Sequence, residues 1–219
     1  MSKTEERKKS GIKFNHAGLA AFSAWDLEGA IKSFKKAVKN DPNNPDYHLN
    51  LVKAYARNGS YDEVMTSLGH YLRVETESDI AERYEMLFST GLDPVESLLI
   101  ESMQAMEFPM QQVGKAIQLW LEYRISYGRR PLRTPKPGIW AAALTYSIVK
   151  VNSIEIKKSE LAKIYQVSVK SLTEKYNDLV TLLDIMPADY RYFTGETNPL
   201  DKLIEAAQLL DDLDKQFKD

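Results

Sequence analysis

The chain has 219 residues, of which 43% are hydrophobic and 27% charged; that composition supports a sizeable buried core and excludes a largely disordered polymer. It contains no cysteine, which excludes disulfides, zinc–thiolate sites, iron–sulfur clusters and a cysteine nucleophile, and favours a cytoplasmic setting. The net charge of −2 argues against a chain that is basic throughout, yet residues 1–75 carry +3, 76–114 carry −7, 115–183 carry +7 and 184–219 carry −5. Such segregation points to an anion-facing surface or to contacts between oppositely charged segments.

Residues 1–14, MSKTEERKKSGIKF, are charged and lack the apolar run of a signal peptide or membrane anchor. Residues 1–12 read as a flexible lead. The longest mostly apolar stretch, Ile139 to Val151, is interrupted by Thr145, Ser147 and Lys150 and is too short to span a bilayer. A soluble, cytoplasmic protein is expected.

Residues 13–108 read as an array of helical hairpins. Two segments align at a spacing of 34 residues: Phe14 with His48, Ala17 with Leu51, Ala21 with Tyr55, Ala30 with Val64 and Phe34 with Leu68. Small residues (Ala17, Gly18, Ala21, Ala30) let antiparallel helices approach closely, and Phe14, Leu27 and Phe34 fill the gaps. The hairpins turn at Trp25-Asp26 and at Asn58-Gly59, and Asp41-Pro42 stops a helix. A degenerate third hairpin is expected from Asp79–Ser89, ended by Gly91, and Pro94–Met106.

The pattern Phe14-x-x-Ala17-Gly18-x-x-Ala21, Ala30-x-x-x-Phe34-x-x-Ala37 and Asp41-Pro42 resembles the tetratricopeptide repeat. The resemblance implies protein or peptide binding in a concave groove lined by the first helix of each pair. Asn15, Phe22, Asn50, Lys53 and Arg57 are the groove candidates. Asn50, Lys53 and Arg57 are suited to a carboxylate or an acidic peptide.

Residues 109–186 follow a different pattern. A helix is expected from Gln111 to Tyr127, then a polar loop. A nearly all-apolar helix, Ile139 to Val149, should be central and buried. A short helix, Ser159–Tyr165, a turn at Gln166-Val167-Ser168, and a longer helix from Val169 to about Leu183 read as a helix-turn-helix. Ser159 and Ser168 are the expected N-caps. Gln166 stands where such turns often hold glycine at positive φ.

Lys136-Pro137, Ala141–Ala143, Leu161-Ala162, Val167-Ser168 and Tyr176 resemble the second cyclin-type repeat of transcription factor IIB and its relatives. The resemblance implies a protein-docking or nucleic-acid-binding module. In the second case Ser168, Lys170 and Thr173 would meet bases, and Arg129, Arg130, Arg133, Lys136, Lys157 and Lys158 would meet phosphates. Only one such repeat is present, and the absence of cysteine removes the zinc ribbon of the initiation factor.

Residues 187–219 read as a connector and an acidic C-terminal helix. Tyr190, Tyr192 and Phe193 should pack back on a neighbouring helix. Asn198-Pro199 should start a last helix striped by Leu200, Leu203, Ile204, Ala207, Leu210 and Leu213. No catalytic residues, metal ligands or cofactor are expected. The three histidines lack metal-ligand spacing, and no phosphate loop, nucleophile elbow or calcium loop is present. The expectation is an all-α protein: a tetratricopeptide-like hairpin array, then a cyclin-like helical domain containing a helix-turn-helix. Its expected role is a non-catalytic adaptor, with a DNA-binding regulator as the alternative.

Overall fold

The computed structural model describes residues 3–89, 91–198, 201, 204, 205, 207, 208 and 210. Among them are ten α-helices and no strand. These are α1 (Lys3–Ser23), α2 (Leu27–Asn40), α3 (Pro45–Arg57), α4 (Tyr61–Leu72), α5 (Ser78–Glu85), α6 (Pro94–Ala105), α7 (Met110–Ser126), α8 (Pro137–Val151), α9 (Lys158–Ile164) and α10 (Val169–Leu183). A single 3-10 turn, Met86–Phe88, follows α5.

Two compact units divide the chain: one holds 1–91 and 121–133, the other 92–120 and 134–219. This differs from the expected boundaries at 108 and 186. Helix α7 contributes residues 110–120 to the second unit and 121–126 to the first.

In the first unit α1 to α5 pack in sequence, each on the next. Local chemistry sets their ends. Asp26 accepts a hydrogen bond from Gly29 N at 2.9 Å and so caps α2. Asn44 accepts from Asp46 N and Tyr47 N and caps α3, with Pro45 in its first turn. The α1–α2 turn places Trp25 at φ 60, and the α3–α4 turn places Gly59 at φ 75.

Ala30, Phe34 and Ala37 form the buried stripe of α2, as the spacing i, i+4, i+7 dictates. They join a core that includes Val52, Ala54, Val64, Leu68, Tyr71, Ile80 and Tyr84. Gly18 is buried against the Phe34 ring. Ala17 is exposed, and Phe14 and Leu27 are only half-buried, so the close approach rests on Gly18 rather than on the whole set of small residues.

Two expectations need correction here. The segment read as a flexible lead is helical from Lys3. Gly11 is buried there, in space where a Cβ would come 3.2 Å from the Tyr47 ring. The third hairpin also fails to close, because α6 belongs to the second unit and packs on α8 instead of α5. Residues 121–133 take the place of the missing partner, with Ile125 fully buried in the repeat core.

The second unit is built around α8, which is buried nearly all round, from Trp140 through Thr145 and at Ser147, Ile148, Val149 and Val151. Trp120 packs on Trp140 with ring centroids 5.4 Å apart. Thr145 Oγ1 and Tyr165 OH share a buried hydrogen bond of 2.7 Å. Asp93 caps α6 and also accepts from Trp120 Nε1 at 2.8 Å. In the connector Tyr192 is fully buried, whereas Tyr190 is exposed. The expected last helix falls largely outside the described residues; Asp201, Ile204, Glu205, Ala207, Gln208 and Leu210 are helical.

Candidate partner-binding groove

Asp46, Asn50, Lys53 and Arg57 recur every three or four residues on α3 and therefore share one face. Along one edge this face meets α1. Asn50 Nδ2 donates to Asn15 Oδ1 at 3.0 Å. Seven residues further along each helix, the Arg57 guanidinium lies 4.2 Å from the centre of the Phe22 ring and 5.0 Å from that of Trp25. The structure thus brings four of the five groove candidates, Asn15, Phe22, Asn50 and Arg57, to the α1–α3 seam, whereas Lys53 lies against the other edge, beside Gly128. Arg57 is 8% exposed, so it is a packed cation on an aromatic pair rather than an open ligand group.

Lys53 is the electrostatically unusual member. Burial pushes its ammonium down to about 8; Asp46 opposes the shift, while Arg130, Arg83 and Arg57 add to it. A cation held among cations with one carboxylate to offset them is a seat that gains from an added anion.

Along the other edge, the same face is covered by the chain itself. Residues 127–133 form an irregular strap after α7. Gly128, at φ 78, is buried. A Cβ at this position would come 3.2 Å from Lys53 Nζ. From α5, Arg83 donates to the carbonyls of Arg124 (2.8 Å) and Gly128, and Tyr84 OH lies 3.1 Å from the Ile125 carbonyl.

Arg129 anchors the strap. It donates to both carboxylate oxygens of Glu75, from Nε at 2.7 Å and from Nη2 at 2.8 Å. Looser bridges run to Asp46 (3.4 Å) and Glu77 (3.3 Å), whose side chains are largely exposed and contribute little. The Glu75 side chain is fully buried. Tyr71 OH donates to it, as do the backbone N–H groups of Thr76 (2.8 Å) and Glu77 (3.1 Å). Burial alone would raise the carboxyl, but the bonds from Arg129, Tyr71 and the two amides outweigh it and hold it at about 2. Hydrogen bonding to Glu75 in turn keeps Arg129 more firmly protonated, against a smaller opposing effect of burial.

The basic residues proposed to meet nucleic acid are divided between the two units. Arg129 is taken by Glu75. Arg130 stacks on Tyr127 at 4.3 Å and donates to its carbonyl. Arg133 is exposed. In the second unit Lys136, Lys157 and Lys170 are exposed, and Lys158 lies over the rings of Tyr146 and Tyr176. Ser168 caps α10 by accepting from Ser171 N at 3.0 Å, and Thr173 Oγ1 donates to the Val169 carbonyl. Gln166 takes φ 52, the left-handed geometry that the turn requires. The expected cap Ser159 lies inside α9, and Lys157 precedes that helix.

Sequence reasoning missed Glu75, Arg83 and Tyr84. Their signal was faint. Glu75 falls in the segment of net charge +3, so the segment charges did not point to it. His48 is nearly buried, with Nε2 2.7 Å from the Pro42 carbonyl. No group of three or more His, Asp or Glu able to hold a metal ion occurs among the described residues. No described helix is long and apolar enough to cross a membrane.

A family model described as TPR repeat matches residues 18–59. The match spans the end of α1, all of α2 and all of α3, and includes Phe22, Asn50, Lys53 and Arg57. No curated protein and no solved structure matches the chain.

Proposed function

We propose that the chain is a non-catalytic, cytoplasmic adaptor that holds an acidic segment of a protein partner on the α1–α3 part of its concave repeat face. The tetratricopeptide repeat at residues 18–59 supports protein–protein interaction as the general role. The observation that carries the finer reading is Lys53, an ammonium lowered to about 8 by burial and lying among Arg57, Arg83 and Arg130. A partner carboxylate at this point would offset the cost of the buried ammonium and form charge-assisted hydrogen bonds. Asn15 and Asn50 supply neutral polar groups beside it.

The test compares the unchanged protein with Lys53→Glu and Asn50→Ala in quantitative pull-downs from its native host. Partners that Lys53→Glu loses at least tenfold, with helicity unchanged, support the reading. An identical set of partners in both variants overturns it.

A second reading is favoured by the second unit. Its α9 and α10 are joined by a turn with Gln166 at φ 52, and the exposed start of α10 presents Ser168 and Lys170. These features fit a helix-turn-helix, and on that footing the second reading is a link from the protein partner to nucleic acid or the transcription machinery, or a DNA-binding regulator. Duplex binding that weakens steeply with salt supports this second reading. No electrophoretic shift at low salt sinks it.

A further inference from the structure

The strap that covers the groove is a ligand as much as a piece of scaffold, and its chemistry describes what the covered half binds. We propose that Glu75, with Asp46 and Glu77 at its rim, forms an arginine seat in the repeat groove, filled in cis by Arg129, from which an arginine-bearing segment of a partner displaces the strap. The proposal rests on the concave face being the partner surface and adds a second feature to the partner: an arginine besides its acidic group.

The seat is made by the repeats and not by the strap. Tyr71 from α4 and the amides of Thr76 and Glu77 fix the Glu75 carboxylate without help from Arg129. What remains is a planar pair of oxygens, and Arg129 meets both in the fork geometry peculiar to guanidinium. Around the seat, Arg83 and Tyr84 donate to the Gly128 carbonyl of the strap, a contact to backbone that an extended segment can offer, and to the last-turn carbonyls of Arg124 and Ile125 in α7. Gly128 imposes a side-chain limit through its φ of 78, which side chains rarely adopt, with Lys53 Nζ beside it. The groove therefore reads a small residue followed by arginine, with little else specified.

The strap is tethered through α7, so it competes at an effective concentration on the order of millimolar. A micromolar peptide cannot displace it from the unchanged protein. Weakening the cis contact should expose the seat.

The probe is a fluorescein-labelled peptide with the sequence of residues 124–134, titrated into full-length protein. Arg129→Gln protein should bind it at least tenfold more tightly than unchanged protein. The double variant Glu75→Gln/Arg129→Gln should lose that gain, as should a peptide carrying glutamine in place of its own Arg129. Circular dichroism confirms that each variant folds. Equal binding to unchanged and Arg129→Gln protein, no binding to either, or binding that survives Glu75→Gln overturns the proposal. Any of these results alongside partner loss in Lys53→Glu removes the arginine seat and leaves the groove reading standing. Amide exchange offers a check that needs no ligand. Glu75→Gln alone should speed exchange across residues 127–130 at least tenfold more than that of Val64 to Leu68, which rises only with the global loss of stability, and an equal rise in both segments or none at 127–130 also overturns the proposal.

Discussion

The ring of Phe34 occupies the space where a side chain at Gly18 would begin: a Cβ there would lie 2.5 Å from Phe34 Cε1. This contact lets α1 and α2 close on one another, and it lies within the chain's tetratricopeptide repeat. Gly18→Ala should therefore destabilise the protein by about 1–3 kcal/mol through overpacking, even though alanine is the better helix former. Phe34→Ala should cost about 3–5 kcal/mol by leaving a cavity. Urea titrations followed by circular dichroism measure both, and a neutral Gly18→Ala would show that the helices have room to part.

Acid should loosen the strap. The Glu75 carboxyl is held at about 2 in the folded protein, below its ordinary 4.5. Its contribution is thus complete above about 4.5 and is lost as the pH falls towards 2, because protonation then favours the unfolded chain. The contribution is about 3 kcal/mol. Glu75→Gln should lower stability at pH 7 by about that amount and flatten its fall between pH 4.5 and 2. Parallel pH profiles for the two proteins would refute the assignment.

Lys53 should behave in the opposite sense. Its folded value, about 8, lies below the ordinary 10.5. Between those values the unfolded chain holds a proton that the folded one has released, so stability rises with pH across that window. At pH 7 the protonated, half-buried ammonium is a net cost. Lys53→Met should raise stability there by about 1–2 kcal/mol and remove the rise between pH 8 and 10.5. A drop in melting temperature at pH 7 would show that Lys53 is well paired instead.

Gln166 holds φ 52 in the turn between α9 and α10, where a side chain costs about 1 kcal/mol relative to glycine. The residue is exposed, so Gln166→Gly removes no packing. The variant should be up to about 1 kcal/mol more stable in thermal denaturation. A clear loss of stability would mean that the glutamine side chain makes contacts worth more than the strain.

Much of this was visible in the sequence where the controlling contacts are local. Apolar spacing of three and four residues marked α2, α3, α8 and α10, and capping residues or turn dipeptides marked Asp26, Asn58-Gly59 and Ser168. The 34-residue self-similarity exposed the hairpins, and the repeat resemblance named Asn15, Phe22, Asn50 and Arg57, which the structure brings to one seam. The third hairpin misled because α6 has all the local signals of a helix, including a capping box at Asp93. Those signals say that a helix forms, and nothing about the neighbour on which it packs.

The opening charge balance shows the same limit. The sequence by itself determined an all-helical chain without cysteine chemistry, with a basic stretch set between acidic ones. Only the tertiary structure decided that Arg129 pairs with Glu75, across 54 residues of chain, and so ties the strap beside the α3 face that carries Asp46 and Lys53. Helix periodicity is written into neighbouring residues because the backbone hydrogen bond spans four of them. An ion pair between distant residues depends on where the chain returns, which packing of the whole unit fixes and no local spacing encodes.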